Sequence, residues 1–532
     1  MQIVGKRKMG GELLSGLLGG TLSLTVSTLV VKLLGLIYKI PLASILGDEG
    51  MGYFNSAYTV YAFFYLLCTA GVPKAVMILI SEAKAQGRKV EEGRILRVAS
   101  ALFLSLGIAL TFIFILLSAP LARLIGNSRS AYTMLAIAPS IIFISLGGVI
   151  RGCLSANMLL LDVAVSQVIE GVGRLAFGLL FAMLGARAGM PLDMLSAMTI
   201  LGVTLGAGLG LVYLLICYKI KIHNEKAGQN TNLIGKREII KRILSISIPI
   251  TVSAAIMSIT NIIDLGLIMR SLSLIGLSEV EASALYGNYT TLAVPMFNLA
   301  ISIITPISVA YLPVFTSCRA VGDKDGLLAA ERGALELSSI LGAPMMLGMA
   351  AFAEEILKLL FPNSETELGA SLLVMITPAI LFSSLLLVTN TSLEAHGFVR
   401  SPLISMAVGS VAKIIISYTL ITKTEMGILG APIGTVATYA VALFVSLIIY
   451  GSKVKRSLPI VRACLAPCLT ALASVILARA AYDRLYFLIN ERILLLMSIA
   501  LAALIYLVLL TFFGILSPKK IEKVAKYTKM PE

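Results

Sequence analysis

Five cationic side chains interrupt stretches that are otherwise apolar: Lys32, Lys39, Lys74, Arg174 and Lys413. A charge in such a stretch is costly unless it meets a water-filled cavity or a counter-charge, so each marks a candidate substrate-binding position. Lys32 and Lys39 stand two helical turns apart and share one face. Acids in comparable surroundings are fewer, Glu170 and Asp264, with Glu354 and Glu355 at the edge of an apolar run. Glu170 comes one helical turn before Arg174, a favourable pair that would neutralise the cation instead of leaving it to a cavity. Lys39 has its own alternative, reaching the outer interface along its alkyl stem. Glu354 and Lys358 read as an interfacial pair, whereas Arg270 is awkwardly spaced for pairing with Asp264 on the same helix. The balance is positive and suits an anionic ligand, with phosphate or diphosphate as the obvious chemistry. Glu170, Asp264 and Arg270 are candidates for ion coupling on position alone.

Catalysis has little to work with. The two histidines, His223 and His396, fall in or beside connecting segments. No metal-ligand spacing, Gly-rich phosphate loop or nucleophile elbow is present, so neither a metal nor another cofactor is expected. The six cysteines lie in or beside apolar runs and read as small core residues. A membrane glycosyltransferase or ligase would also need acidic or histidine residues gathered in a sizeable aqueous loop, and none separates the apolar runs.

Those runs are the elements that must position the charges. Of 532 residues, 58% are hydrophobic and 13% charged, with mean hydropathy +0.95. Soluble domains carry roughly 25% charged residues to coat their surface. Charge-poor stretches of about 20 residues recur, each long enough to cross a bilayer. The expected fold is therefore an all-α polytopic membrane bundle of about fourteen spans, from residues 15–46 and 54–82 to 493–516. The net charge of +15 is gathered in short clusters at 6–8, 84–97, 219–242, 453–462 and 519–529. The opposite side holds few cations, among them Arg123, Arg129, Arg187 and Lys423, and the acidic Asp48-Glu49. Such asymmetry places both termini in the cytoplasm and accounts for the charge through anionic lipid, not nucleic acid.

The chain also matches itself. One constant displacement carries Asn55 onto Asn288 and Pro73 onto Pro306; a second carries Pro139 onto Pro378 and Arg174 onto Lys413. Six spans in each half is an even number, so both halves enter the membrane in the same direction, the arrangement of rocker-switch transporters. Residues 1–225 form an N-lobe, 226–238 a cytoplasmic linker and 239–455 a C-lobe. Residues 456–532 add two helices and a basic tail outside the repeat. Gly71, Pro73 and Pro306 are candidate hinges, a fixed kink being the alternative. Gly202, Gly206 and Gly210 are spaced for close helix contact.

The opening helices carry a more specific pattern: residues 32–43, KLLGLIYKIPLA, then Leu46-Gly47-Asp48-Glu49-Gly50-Met51-Gly52-Tyr53, then Thr69-Ala70-Gly71-Val72-Pro73-Lys74 and the polar Ser81-Glu82-Ala83-Lys84. This cluster resembles the polysaccharide-biosynthesis branch of the multidrug/oligosaccharidyl-lipid/polysaccharide exporter superfamily, nearest to stage V sporulation protein B and the MurJ-type lipid II flippases. The resemblance implies alternating-access translocation of a polyprenyl-diphosphate-linked saccharide for the cell wall or spore cortex. It also implies that N-lobe cations face a central cavity and that the last two helices form a groove for the lipid tail. Lys32 matches a cationic position of the family; Tyr38 and Tyr65 stand where arginines of the Gram-negative branch would align, with Lys39 and Lys74 supplying the missing charge. Membrane lipid and cell-wall synthesis proteins are the further expected partners. Two other readings are a drug or cation antiporter of the same superfamily, which would need intramembrane carboxylates, and a non-transporting scaffold for cell-wall or sporulation enzymes.

Overall fold

The structure, a computed structural model, describes residues 2–222, 235–487 and 490–514. His223, most of the expected linker and the C-terminal residues from Ile515 on, with the basic tail, lie outside the described residues. Helix is the only regular secondary structure among them, as a bilayer-spanning chain requires, because each helix satisfies its own backbone polar groups.

Two compact units emerge from the packing. The first comprises Met1–Ser273 and Leu277–Gly287, the second Leu274–Gly276 and Asn288–Glu532. The first holds α1 (Gln2–Thr69), α2 (Val72–Ala85), α3 (Lys89–Ile125), α4 (Ser130–Ile137), α5 (Ser140–Ala156), α6 (Leu160–Arg187), α7 (Leu192–Lys221), α8 (Lys236–Leu274) and most of α9 (Glu279–Asn288). The second includes a π-helical turn (Tyr289–Ala293) and holds α10 (Val294–Val321), α11 (Lys324–Ala351), α12 (Ala353–Leu360), α13 (Thr366–Ile376), α14 (Pro378–Ala395), α15 (Ser401–Lys423), α16 (Gly430–Val454), α17 (Ile460–Leu485) and α18 (Glu491–Phe512). Grouping by packing thus puts α8 with the first unit, whereas division by repeat assigned it to the C-lobe. Three contacts account for this. Arg242 pairs with Glu82 at 2.6 Å, Arg270 Nε donates to the Leu124 carbonyl at 2.8 Å, and Ile239 and Ile243 join the core of α2, α3 and α5.

Twelve helices among the described residues are long and apolar enough to cross a membrane, two fewer than expected. One is a 56-residue stretch, Val30–Ala85, about 80 Å at the helical rise, against a hydrocarbon core of about 30 Å. It is broken twice. Gly47 takes φ 62°, ψ −178°, a backbone open in practice only to glycine, and a bend at Ala70-Gly71 separates α1 from α2. Helix α8, at 39 residues, is not among the twelve.

Ser130–Ala156 and Thr366–Ala395 are the most enclosed spans of their units, each 67% buried, against 22% for Val90–Ile125 and Ser401–Lys423. Both enclosed spans are interrupted at matching positions of the repeat, at Ala138-Pro139 and at Thr377-Pro378. Proline offers no N–H to the preceding turn and crowds its carbonyl, so a break there follows from the residue. Four cysteines are buried, and Cys464 and Cys468 half-buried, all as free thiols.

Candidate functional site

In the first unit the intramembrane charge gathers on α5 and α6. Glu170 is 9% exposed and sits between two arginines. Arg151 Nη2 lies 2.7 Å from Glu170 Oε2, and Arg174 Nη2 lies 3.7 Å from Glu170 Oε1. Arg151 also points Nε at Ser166 Oγ, 3.4 Å away, and Arg174 Nη1 lies 3.5 Å from the Tyr58 hydroxyl. One carboxylate faces two guanidinium groups, so the cluster carries one surplus positive charge.

That surplus belongs with Arg174, whose contacts are the longer ones. Its Nε is buried and makes no hydrogen bond. An orphaned buried donor on a cation is costly, and an anion is the ligand that would satisfy it.

The backbone is built to hold this cluster. A Cβ on Gly206 would come within 2.6 Å of the Glu170 carbonyl and 2.7 Å of the Arg174 nitrogen. One on Gly202 would fall 2.4 Å from the nitrogen of Gly178. The glycine ridge of α7 therefore lets α6 approach through the turns that carry Glu170 and Arg174. In the second unit Lys413, half-buried, stands on α15 beside α16, where a Cβ on Gly434 would meet Ser417 Oγ and approach the Lys413 carbonyl at 3.3 Å. The two repeat mates thus share one local design.

Aromatic rings line the α1 side of the cluster. Phe54, Tyr58, Tyr61 and Tyr65 follow helical spacing, with centroids 6.3, 5.7 and 6.0 Å apart in succession. Tyr38 packs edge-on to Phe54, directs its hydroxyl at the Thr199 carbonyl at 3.4 Å and occupies the space left by Gly178. Helix α1 runs alongside α6, with Val31 and Leu34 against Gly171. Lys32 is therefore at the height of the Glu170–Arg174 turn, with its side chain exposed, and Lys39 is half-buried two turns further on.

The other expected positions scatter. Lys74 is exposed on α2, just past the bend at Ala70-Gly71. Gly71 abuts α8, where a Cβ would strike the Ser247 carbonyl at 2.3 Å, and Pro73 opens α2 as one of its first residues. Pro306 lies inside an unbroken α10. Asp264 is half-buried on α8, and Arg270 is engaged with the Leu124 carbonyl. Glu354 pairs with Lys358 at 2.6 Å, and that carboxylate holds the Lys358 ammonium above its ordinary range. Arg151 and Tyr58 were missed by sequence reasoning. Tyr58 left a trace in the three-and-four spacing of its aromatic neighbours, whereas Arg151 is nineteen residues from Glu170 and left none. No group of His, Cys, Asp and Glu among the described residues is arranged to hold a metal.

Residues 17–318 match the polysaccharide biosynthesis protein family. The chain is 24% identical over 516 residues to stage V sporulation protein B of Bacillus subtilis (strain 168), covering 95% of this chain and 97% of that one. It is 23% identical over 445 residues to the lipid II flippase MurJ of the same organism, 80% and 81% of the two chains. Among solved structures, a lipid II flippase MurJ in an inward closed conformation superposes with TM-score 0.69 at 16% identity, over 92% of this chain and 98% of that one. An inward-facing multidrug resistance MATE transporter superposes with TM-score 0.66 at 16% identity, over 80% and 94%. The chain belongs to the polysaccharide biosynthesis protein family of the multidrug/oligosaccharidyl-lipid/polysaccharide exporter superfamily and is a multi-pass bacterial membrane protein.

Proposed function

We propose that the protein is a flippase that carries a polyprenyl-diphosphate-linked saccharide from the cytoplasmic to the outer leaflet by alternating access. The observation that carries this reading is the buried, unsatisfied Arg174 Nε in a cluster with two arginines to one carboxylate. A diphosphate offers acceptor oxygens and negative charge together, and arginine recognises such groups through several parallel donors. Lys32, Lys39 and Lys74 add cationic reach on the first two spans, and Lys413 is the mate of Arg174 in the other lobe. In this reading both termini are cytoplasmic, and residues 1–225 rock against 239–455 across the linker 226–238 about hinges near Gly71, Pro73 and Pro306. The helices after residue 456 accommodate the lipid tail, which stays in hydrocarbon while the headgroup crosses. Similarity to stage V sporulation protein B and to MurJ supports the cell wall or spore cortex as the destination.

The test uses purified protein in vesicles with a fluorescent polyprenyl-diphosphate saccharide and an impermeant quencher outside. The parent should expose probe from the inner leaflet at a rate that falls at least tenfold in Arg174→Ala and in Lys32→Ala, with both variants still folded. Parental rates in both would defeat the assignment. The superposition on a MATE transporter favours a second reading, an antiporter for organic cations. It requires carboxylates where this cluster has surplus arginine, and it predicts hypersensitivity to cationic dyes when the gene is deleted.

A further inference from the structure

One face of α8 changes character along its length. Arg237, Lys241, Leu244, Ile248 and Val252 follow one another at three- and four-residue intervals and so form a single stripe. The first two are basic and exposed; the other three are apolar, and Ile248 and Val252 are exposed as well. The stretch Lys236–Arg242 holds four cations against one acid, Glu238. Of the four, Arg242 is taken by Glu82 at 2.6 Å, whereas Arg237 and Lys241 form no ion pair among the described residues.

The helix is fastened to its neighbours at both ends and stands away from α3 between them. Near the Lys236 end, Ile239 and Ile243 join the core that includes Ile95, Leu96 and Phe103. At the far end Arg270 holds the Leu124 carbonyl, and a Cβ on Gly266 would meet Ile125 at 3.9 Å. Between these fastenings lies a groove of about 200 Å³. Phe103, Leu106 and Leu110 form its α3 wall, and Leu244, Ile248 and Val252 its α8 wall. Leu67 and Val72, on either side of the bend at Ala70-Gly71, complete it. The two polar lining residues, Ser247 and Thr251, are turned to that bend, where both would meet a Cβ on Gly71. Pro249 falls within the same stretch of α8, and its missing N–H favours a bow there.

Leu244 to Val252 spans about 12 Å at the helical rise, with Lys241 one turn beyond Leu244 and Arg237 one turn further. Hydrocarbon followed by paired cations along one face is the complement of a lipid chain followed by its phosphate. A neutral lipid would leave the cations unused, and a free phosphate would leave the groove unused. We propose that the groove between α3 and α8 is a binding site for one acyl chain of an anionic phospholipid, whose phosphate is held by Lys241 and Arg237. A chain seated there packs on Leu67 and Val72 and braces the bend between α1 and α2. This lipid is a resident of the first unit and not cargo, so the inference does not rest on the flippase reading.

The chain contains no tryptophan, so Val252→Trp gives the full-length protein a sole fluorophore in the groove. Phe112→Trp, exposed on the opposite side of α3, gives a reference outside it. Both are placed in vesicles of phosphatidylcholine and phosphatidylglycerol, with one or the other lipid brominated as quencher. At Val252→Trp the brominated phosphatidylglycerol should be preferred by about fivefold for each cation engaged, and at Phe112→Trp neither lipid should be preferred. Adding Lys241→Gln and Arg237→Gln to Val252→Trp should abolish the preference while brominated phosphatidylcholine still quenches. Equal quenching by the two lipids at Val252→Trp, or a preference that survives loss of both cations, would overturn the proposal. So would relief of quenching by unlabelled polyprenyl diphosphate at a ratio where unlabelled phosphatidylglycerol has no effect, which would give the groove to the cargo's tail. If Val252→Trp does not fold, Leu106→Trp reads the groove from its other wall with the same outcomes. The readout involves no transport, so its failure leaves the flippase reading standing, and the reverse also holds.

Discussion

At the scale of single residues, the Arg151–Glu170–Arg174 cluster is held by one carboxylate, and its members are not interchangeable. Breaking a buried pair by removing one partner costs roughly 3–5 kcal/mol. Glu170→Gln, which leaves two guanidinium groups facing each other, should destabilise the protein by about that amount. Arg151→Ala in the same background should restore part of it, read as a shift in thermal unfolding in detergent. Equal losses in the single and double variants would mean that the 2.7 Å contact contributes nothing specific. Gly47 makes a separate prediction. Nothing lies within 4 Å of where its Cβ would be, so Gly47→Ala is opposed by backbone strain alone, at about 1–3 kcal/mol. Hydrogen exchange should then rise on both sides of residue 47 and stay parental elsewhere. Part of this scale was legible in the sequence. Glu170 and Arg174 were paired by their spacing on one helix, whereas Arg151 comes from a different helix, nineteen residues from Glu170, and no spacing points to it.

At the scale of elements, proline was a dependable guide in one pair of repeat mates and not in the other. Pro139 and Pro378 interrupt their spans in the same way, each in the most enclosed span of its unit. Pro73 follows a true break, but Pro306 sits in a continuous α10 preceded by the π-helical turn at Tyr289–Ala293. The difference lies with the neighbours: Gly71 admits the Ser247 carbonyl of α8, and no glycine occupies the corresponding place, where Ile304 stands. The sequence could set α17 and α18 apart from the repeat but not say what fastens them. Arg479 does much of this. It donates to the Ala351 carbonyl at 2.9 Å, reaches Glu355 at 2.6 Å and lies over the rings of Phe352 and Tyr482 at 5.6 and 5.2 Å. Hydrogen bonds to a charged group contribute roughly 1.5–3 kcal/mol. Arg479→Ala should therefore admit protease to the segment joining α17 and α18 well before the rest of the chain, and equal rates in parent and variant would assign the fastening to the apolar seam instead.

At the scale of the whole molecule, the all-helical class, its membrane setting and its superfamily were legible from hydropathy, charge asymmetry and the opening motif. The count of twelve differs from the expected fourteen in two places: the expected spans 15–46 and 54–82 fall in one broken stretch, Val30–Ala85, and α8 is not among the twelve. Orientation remains a matter of side-chain charge, which gives it a direct test. A single cysteine at Asn363 or Glu425 should react with an impermeant thiol reagent applied to intact cells, and one at Gln86 only after the cells are opened. The reverse pattern would turn the topology over. That test is simpler than usual for a membrane transporter, owing to the native thiols. With four buried and two half-buried against neighbouring helices, they offer water-borne maleimides little to attack. The wild-type chain is thus close to its own labelling blank, and pairs of spectroscopic probes can be attached to the two units without first stripping cysteines from the cores that hold them together.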